Sequence, residues 1–313
     1  MNCAYAFMQG INILALFVSL FRLIDKYGAG SVLTALFWIL LTLSLFNDFT
    51  VAIASTNTSS TNYLLGNKFT TGGIHVLLIG IFRVLLHIKS GKMPYNQTVY
   101  CALIIESIMV LLKADAMTAM ISVVSVCALP VLLGMRQVSF LLSGLAVSCS
   151  IVVLNVVFFS TGMLLDLPQV QYFVQEVLGR SITMTGRTPI YEQLGIIIQM
   201  NPLFGWGYGN TVVEQIVGYG NAQNGIAQVI VDYGVVGAAA FAAVIISALP
   251  RVRGETSIII VPLYGILYSS VISSLVEISF GLTFFFQIAL VAAISAKLKL
   301  RQIKDSQLSF RYE

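Results

Sequence analysis

Residues 225–248 read GIAQVIVDYGVVGAAAFAAVIISA, and this run decides the fold class. It contains a single charged residue, Asp232, and it is long enough to cross the hydrocarbon core of a bilayer, which takes about 20 residues of α-helix. Hydrophobic residues make up 58% of the 313 residues and charged residues only 10%. Soluble domains carry about 25% charged residues, so the chain is predicted to be a polytopic membrane protein.

Comparable apolar runs recur along the chain and give an all-α architecture of about nine transmembrane helices. They lie at residues 3–21, 29–46, 73–88, 97–112, 115–134, 138–160, 225–248, 257–276 and 280–296. The predicted organisation is a six-span region at 1–160, an extracytoplasmic loop with amphipathic helices at 161–224, a three-span region at 225–296 and a basic cytoplasmic tail at 297–313.

The basic residues predict the orientation, because Lys and Arg in short loops are retained on the cytoplasmic side. Most of them, including Arg22, Lys26, Arg136 and Arg251, fall on one side of the nine-span arrangement. This places the carboxyl terminus in the cytoplasm and the amino terminus outside. The formal net charge of +4 comes from these loops and forms no basic face, so no nucleic-acid partner is expected.

Two outward segments, residues 47–72 and 161–224, are long, and the second is expected to carry the function. Within it, Thr188 and Pro189 predict a helix start, and Asn201 and Pro202 predict its end. Ile190, Leu194, Ile197 and Ile198 would form the apolar face of that helix. The turn FGWGYGN that follows has neither the closing Lys and Ser/Thr pair nor the flanking strand of a nucleotide-binding loop.

Asn224, Gln228 and Asp232 recur at every fourth position and so share one face of a helix. Such a face cannot point at lipid, and it predicts either a polar cavity or hydrogen bonds to another helix.

Charged residues inside apolar runs also mark candidate sites. Arg83 and Glu106 could form a pair, with a structural or a catalytic role. His75 and His87 fit no metal spacing, and the four cysteines are irregularly spaced, so no metal site is expected. Arg187 lies beside a predicted helix amino terminus and could hold a phosphate with it, or could be solvated or contact lipid headgroups; Arg180 is a weaker candidate.

The run TGRTPIYEQLGIIIQMNPLFGWGYGN (185–210), followed by QNGIAQVIVDYGVVG (223–237), resembles the signature of the O-antigen polymerase and ligase superfamily. The matching positions are Gly186, Arg187, Tyr191, 201–209, Asn224 and 234–237. The segments 64–78 and 113–124 are similar to upstream family motifs. Members are longer, which implies that amino-terminal spans are missing here, and Gln223 stands where ligases and many polymerases have histidine.

The resemblance implies a metal-independent membrane glycosyltransferase without a cofactor. It would act on the outer face of the bacterial cytoplasmic membrane and join undecaprenyl-diphosphate-linked oligosaccharide repeat units into O-antigen, capsule or exopolysaccharide. A chain-length regulator and a flippase of the same pathway are the expected partners.

The same resemblance implies roles for individual residues. The leaving diphosphate would be held by Arg187 with Arg180, Lys68 or Lys113, and Asn224 and Asp232 would act at the reacting groups. The remaining substrate contacts are assigned to Gln223, Gln228, Trp206, Tyr208 and Arg83.

Two alternatives stay open. An O-antigen ligase would use a different acceptor, but glutamine at position 223 cannot act as a general base. A transporter or flippase of lipid-linked glycans would suit intramembrane Arg83, Glu106 and Asp232. The long outer segment and the lack of a visible inverted repeat favour the polymerase.

Overall fold

The computed structural model describes residues 3–54, 63–89, 94–133, 136–160, 188–249, 251–252 and 257–309. In these ranges the chain is helical and contains no strand. The α-helices are α1 Cys3–Tyr27, α2 Ala29–Ile53, α3 Lys68–Ile88, α4 Gln97–Lys113, α5 Met117–Leu133, α6 Gly144–Ser160, α7 Thr188–Met200, α8 Val212–Val217, α9 Gly225–Ala248, α10 Ser257–Ser273 and α11 Leu282–Ser309. A 3-10 helix, Arg136–Leu141, precedes α6.

The helices have the lengths and composition of a polytopic membrane protein. Four of them, α1 to α3 and α9, contain segments long and apolar enough to span a bilayer, and α5, α6, α10 and α11 contain shorter apolar segments. The predicted all-α membrane class is therefore confirmed, whereas the count of nine spans is not.

Both helices that flank the first predicted outward segment extend into it. Helix α2 continues to Ile53, and α3 begins at Lys68, so residues 47–53 and 68–72 are helical. Asn67 sets the start of α3, because its side chain accepts hydrogen bonds from the amides of Phe69 and Thr70 at 3.0 and 2.9 Å. Asn47 and Asp48 consequently lie inside a helix, and both are buried.

Helices α3, α5 and α10 form the centre of the bundle. Helix α3 is buried along most of its length, and α10 packs against both α3 and α5. The approach of α3 to α10 depends on Gly80, because a Cβ there would collide with the side chain of Ile266. Large apolar side chains remain exposed on α1, α2 and α6, as expected of helix faces that contact lipid.

A second, smaller core forms where α7 and α8 pack on the first half of α9. It buries Ile190, Leu194 and Ile197 of α7 against Val213 of α8 and Val231 of α9. The predicted start of α7 at Thr188, its end before Asn201 and its apolar face are all confirmed. Residues 161–187, the remainder of the predicted extracytoplasmic loop before α7, lie outside the described part.

Candidate functional site

The glycine-rich turn at residues 201–210 is hydrogen-bonded to a break in α9. At Gly234 the backbone leaves the helical region, with φ 66° and ψ −169°, so the regular hydrogen-bond ladder is interrupted. The amides of Trp206 and Gly207 donate to the carbonyls of Val231 and Asp232, both at 2.8 Å. The amides of Val235 and Val236 donate to the carbonyls of Pro202 and Leu203 at 2.9 and 3.1 Å.

Non-helical backbone inside a membrane protein is tolerated only where its polar groups are satisfied, and this turn satisfies them. The contact requires glycine on both sides. A Cβ on Gly234 would collide with the carbonyl oxygen of Leu203, and a Cβ on Gly205 would lie 2.6 Å from the carbonyl carbon of Asp232. Close backbone packing therefore explains Gly205, whereas Gly207 and Gly209 have positive φ values of 88° and 70°.

The polar stripe on α9 is hydrogen-bonded within the protein. Asn224 caps α9 by accepting from the amide of Ala227 at 2.9 Å, and it donates to Asn155 of α6 at 2.7 Å and to the carbonyl of Leu275 at 3.0 Å. Hydrogen bonding to another helix, one of the two predicted alternatives, therefore explains why a polar residue lies at position 224.

The other two members of the stripe bond to the loop residues around them. Gln228 accepts from the amide of Ala222 and donates to Asp232, both at 2.8 Å. Asn210 of the glycine-rich turn donates to the same oxygen of Asp232 at 2.8 Å. Asp232 is buried and links α9 to the turn by a side-chain contact as well as through the backbone.

Gln223 is held in a fixed and uncommon conformation. Its φ is +50°, which is unusual for a residue other than glycine. Its amide and its side-chain Nε2 both donate to Oδ1 of Asn221, at 2.9 and 2.8 Å, and its carbonyl accepts from the hydroxyl of Tyr191 at 3.1 Å.

A polar cleft with a volume of about 390 Å³ opens at the end of the bundle where α3 and α9 begin and α10 ends. We call this end the cleft end. Hydroxyl and amide groups line it side by side with apolar side chains, which contribute the larger part of the surface. The polar lining residues are Asn67, Thr70, Ser122, Asn221, Ser269, Ser270, Ser273, Ser279, Thr283, Gln287 and Glu277.

Glu277 is the single carboxylate among the described residues that line the cleft. It lies in the short connection between α10 and α11, which is tied to the start of α9: the amide of Gly225 donates to the carbonyl of Ser274 at 2.7 Å, and Asn224 donates to that of Leu275. Sequence analysis missed Glu277, because a lone acidic residue between two apolar runs belongs to no motif.

The predicted anion-binding residues are only partly described. Arg180 and Arg187 lie outside the described residues. Lys68 lies at the cleft end next to Asn67, and its ammonium group donates to the carbonyl of Asp115 at 3.2 Å. Lys113, the last residue of α4, is exposed. Burial, together with the carboxylate of Asp115, raises the pKa of the neighbouring Tyr63.

Arg83 and Glu106, the predicted pair, do not contact each other. The guanidinium of Arg83 donates to the carbonyl of Cys127 at 3.0 Å and to the hydroxyl of Tyr100 at 3.3 Å. Glu106 lies beside His75 instead, at 3.7 Å from Nδ1. The pair was expected because Arg83 and Glu106 are charged residues inside successive predicted spans, but in the structure the two side chains have different neighbours.

His75 is not isolated, contrary to the prediction from spacing. Its Nε2 lies 3.3 Å from Oδ1 of Asp48, and its Nδ1 lies 2.9 Å from the hydroxyl of Ser107. The residues of this cluster come from α2, α3 and α4, so no local sequence pattern could show it. Sequence analysis ended the second span at residue 46, whereas α2 extends to Ile53 and so includes Asp48.

Trp206 and Tyr208, the two aromatic residues of the turn that were predicted to contact substrate, make contacts within the protein. The indole of Trp206 donates to the carbonyl of Ile197 at 3.1 Å and packs on the second core. Tyr208 stacks on Tyr233, with ring centroids 6.4 Å apart. Neither residue, nor Gln228 or Asp232, lines the cleft.

Residues 101–242 match the family model described as O-antigen ligase. This match supports the O-antigen polymerase and ligase superfamily for residues 101–242. The matched region runs from α4 into α9 and includes the glycine-rich turn, the break at Gly234 and Asn221 of the cleft. Asn67 and Glu277 lie outside it. No curated protein and no solved structure matches the chain.

Proposed function

We propose that the protein is a polysaccharide polymerase that joins undecaprenyl-diphosphate-linked oligosaccharide repeat units on the outer face of the bacterial cytoplasmic membrane. The proposal rests on the superfamily domain and on one structural observation, the cleft lined by hydroxyl and amide groups next to that domain's signature. Hydrogen bonds from the amide of Gly225 and the side chain of Asn224 to the carbonyls of residues 274 and 275 connect the signature region to the cleft.

The chemistry of the cleft suits a carbohydrate. Serine, threonine, asparagine and glutamine side chains both donate and accept hydrogen bonds, as sugar hydroxyls do. The volume of about 390 Å³ lies within the range of small-molecule sites. Phe69, Val76 and Leu77 add apolar surface at one wall, against which the carbon face of a sugar ring can pack.

The proposed reaction transfers a glycosyl group to a sugar hydroxyl. The acceptor oxygen forms a bond to the anomeric carbon of the donor, and the bond from that carbon to the diphosphate breaks with its electron pair on the departing oxygen. The hydroxyl proton needs an acceptor, which Gln223 cannot provide. We assign this proton to the carboxylate of Glu277, because it lines the cleft.

The departing diphosphate needs positive charge. Lys68 is the described candidate at the cleft end, and Arg187, Arg180 and Lys113 are proposed to contribute. The cleft end is proposed to face outward, since the connections predicted to be extracytoplasmic around residues 68, 113, 221 and 277 meet there. The carboxyl terminus would then be cytoplasmic, as the basic tail predicts.

The family description favours a second function, ligation of a finished glycan to another acceptor. Both functions share the donor and differ in the acceptor. Gln223 in place of histidine weakens the case for the ligase and leaves the polymerase open, because the substitution removes a proton acceptor from the position where ligases carry one.

The test uses the full chain purified in detergent and reconstituted with undecaprenyl-diphosphate-linked repeat units as the only substrate. A polymerase produces a ladder of longer lipid-linked glycans. No transfer, either to this substrate or to a lipid A core acceptor supplied separately, would remove the proposal. Transfer only to the second acceptor would establish the ligase.

A further inference from the structure

The buried cluster around His75 does not line the cleft, although the neighbouring Ile74 and Val76 do, and it has no role in the proposed reaction. It joins three helices: Asp48 on α2, His75 on α3 and Glu106 on α4. The side chains of His75 and Asp48 are 0% and 7% exposed, whereas that of Glu106 is 33% exposed. One oxygen or nitrogen from each residue lies within 4.8 Å of those of the other two.

Both ring nitrogens of His75 have a polar neighbour within hydrogen-bonding distance. The hydroxyl of Ser107 has one proton, and its 2.6 Å contact with the carbonyl of Leu103 uses that proton. Nδ1 of His75 lies 2.9 Å from the same hydroxyl and can then donate to Ser107. This arrangement, with one ring nitrogen donating to a fixed acceptor, is typical of histidines that bind a metal through the other nitrogen.

The other ring nitrogen then faces an acceptor. Nε2 lies 3.3 Å from Oδ1 of Asp48, whose second oxygen accepts from Ser44 at 2.8 Å. When Nδ1 donates to Ser107, Nε2 is directed at a carboxylate oxygen, and either a proton or a metal ion can lie between these two atoms.

The composition of the cluster suits a divalent cation. Asp48 and Glu106 have no lysine or arginine as an ion-pair partner within the part of the chain that the structure describes. A divalent cation would balance the charge of two ionised carboxylates beside a neutral imidazole.

We propose that Asp48, His75 and Glu106 bind a divalent transition-metal ion and that Zn²⁺ fits them best. One imidazole nitrogen and two carboxylate oxygens are donors that zinc accepts, whereas calcium and magnesium prefer oxygen alone. The 3.3 Å between Nε2 and Oδ1 of Asp48 equals the edge of a zinc tetrahedron with bonds of about 2.0 Å. Glu106, which is partly exposed, completes the site by rotating its carboxylate toward Nε2, and water takes the fourth position.

The surrounding residues support the ligands. Asn47, whose amide donates to Oδ1 of Asp48 at 3.4 Å and to Thr71 of α3 at 3.0 Å, holds α2 against α3. The ion would link α2, α3 and α4 at one point, because it would bind one residue of each helix. Because α3 also supplies Thr70 and other residues to the cleft, the metal would hold that wall in place without touching substrate.

The experiment measures metal binding to the purified full chain, independently of glycan transfer. Protein stripped with chelator and titrated with Zn²⁺ should bind one ion per chain, and Zn²⁺ should raise the thermal unfolding midpoint. His75→Ala should abolish both effects, and Glu106→Gln, a change at a partly exposed position, should weaken binding at least tenfold. Ser107→Ala should weaken it by about 10-fold to 100-fold, because it removes the partner of Nδ1.

His87→Ala provides the matched control, since His87 is an exposed histidine near the other end of the same helix. It should bind zinc as the wild type does. Substoichiometric binding by the wild type, or equal binding by the Glu106→Gln and His87→Ala variants, would overturn the proposal. In either case a proton, and not a metal ion, would lie between His75 and Asp48, whatever the outcome of the glycan-transfer assay.

Discussion

The backbone amide of Trp206 donates a 2.8 Å hydrogen bond to the carbonyl of Val231, a helical carbonyl left without its usual partner by the break at Gly234. This bond and its three neighbours make the glycine-rich turn an integral part of α9. The turn and the broken helix therefore form one structural unit, and a change in either should affect both.

Gly234→Ala should destabilise the protein more than an ordinary helical glycine substitution. Alanine at φ 66° is strained and its Cβ would meet the carbonyl of Leu203, so we expect a loss of about 2 kcal/mol or more. Gly195→Ala is the matched control, because nothing lies within 4 Å of its added Cβ and alanine favours helix. Thermal unfolding in detergent measures both, and equal midpoints for the two variants would contradict the docking of the turn.

A substitution at Asn224 distinguishes the contribution of helix capping to stability from that of interhelical hydrogen bonding. Asn224→Asp keeps the oxygen that accepts from the amide of Ala227 but removes the donor to Asn155 and Leu275, and it places a charge beside two acceptors. Asn224→Asp should therefore lower the thermal midpoint although the cap survives.

The control for that substitution is Asn96→Asp. Asn96 also caps a helix, α4, through the amide of Val99 at 3.0 Å, and aspartate preserves that cap. We expect Asn96→Asp to change the thermal midpoint little and Asn224→Asp to lower it strongly. Similarly small changes of the midpoint in both variants would mean that the bonds to Asn155 and Leu275 contribute little to stability.

Much of this region could be predicted from the sequence. The start of α7 at Thr188, its end before Asn201 and the polar stripe of α9 all follow from local patterns, because capping, proline chemistry and helical periodicity act within a few residues. The break at Gly234 could not be predicted, since a single glycine in an apolar run is compatible with a continuous helix. The turn at 201–210 is hydrogen-bonded to the break, and this contact becomes visible only in the three-dimensional structure.

The candidate sites were harder to predict than the helices. Asp48 was assigned to a loop because its charge ended the apolar run, although burial beside His75 keeps it inside α2. Glu277 and the serines of the cleft are far apart in sequence and carry no motif. Sites of this kind depend on which helices are neighbours, and that information is absent from periodicity and spacing.

Glu277→Gln tests the proposed proton acceptor. The amide keeps the size and hydrogen-bonding capacity of the side chain but takes up no proton, so glycan transfer should fall by about 10²-fold to 10⁴-fold while the substrate still binds. Glu214→Gln is the control, because Glu214 is an exposed carboxylate on α8 that does not line the cleft. Turnover and substrate binding should be measured separately with the reconstituted chain. Unchanged turnover in Glu277→Gln would assign the proton to another group.

Gln223→His tests whether position 223 shapes the site or takes part in the chemistry. Histidine tolerates a positive φ better than most residues, so the backbone at φ +50° and the bond from Tyr191 to the carbonyl should persist, and only the side-chain bond to Asn221 is lost. We therefore expect polymer of normal length from cells that carry this variant in place of the wild type. Gln223→Pro, which removes the amide that bonds to Asn221 and cannot adopt a positive φ, should abolish the polymer. Loss of polymer in Gln223→His with an unchanged thermal midpoint would show that the glutamine side chain itself contacts a sugar.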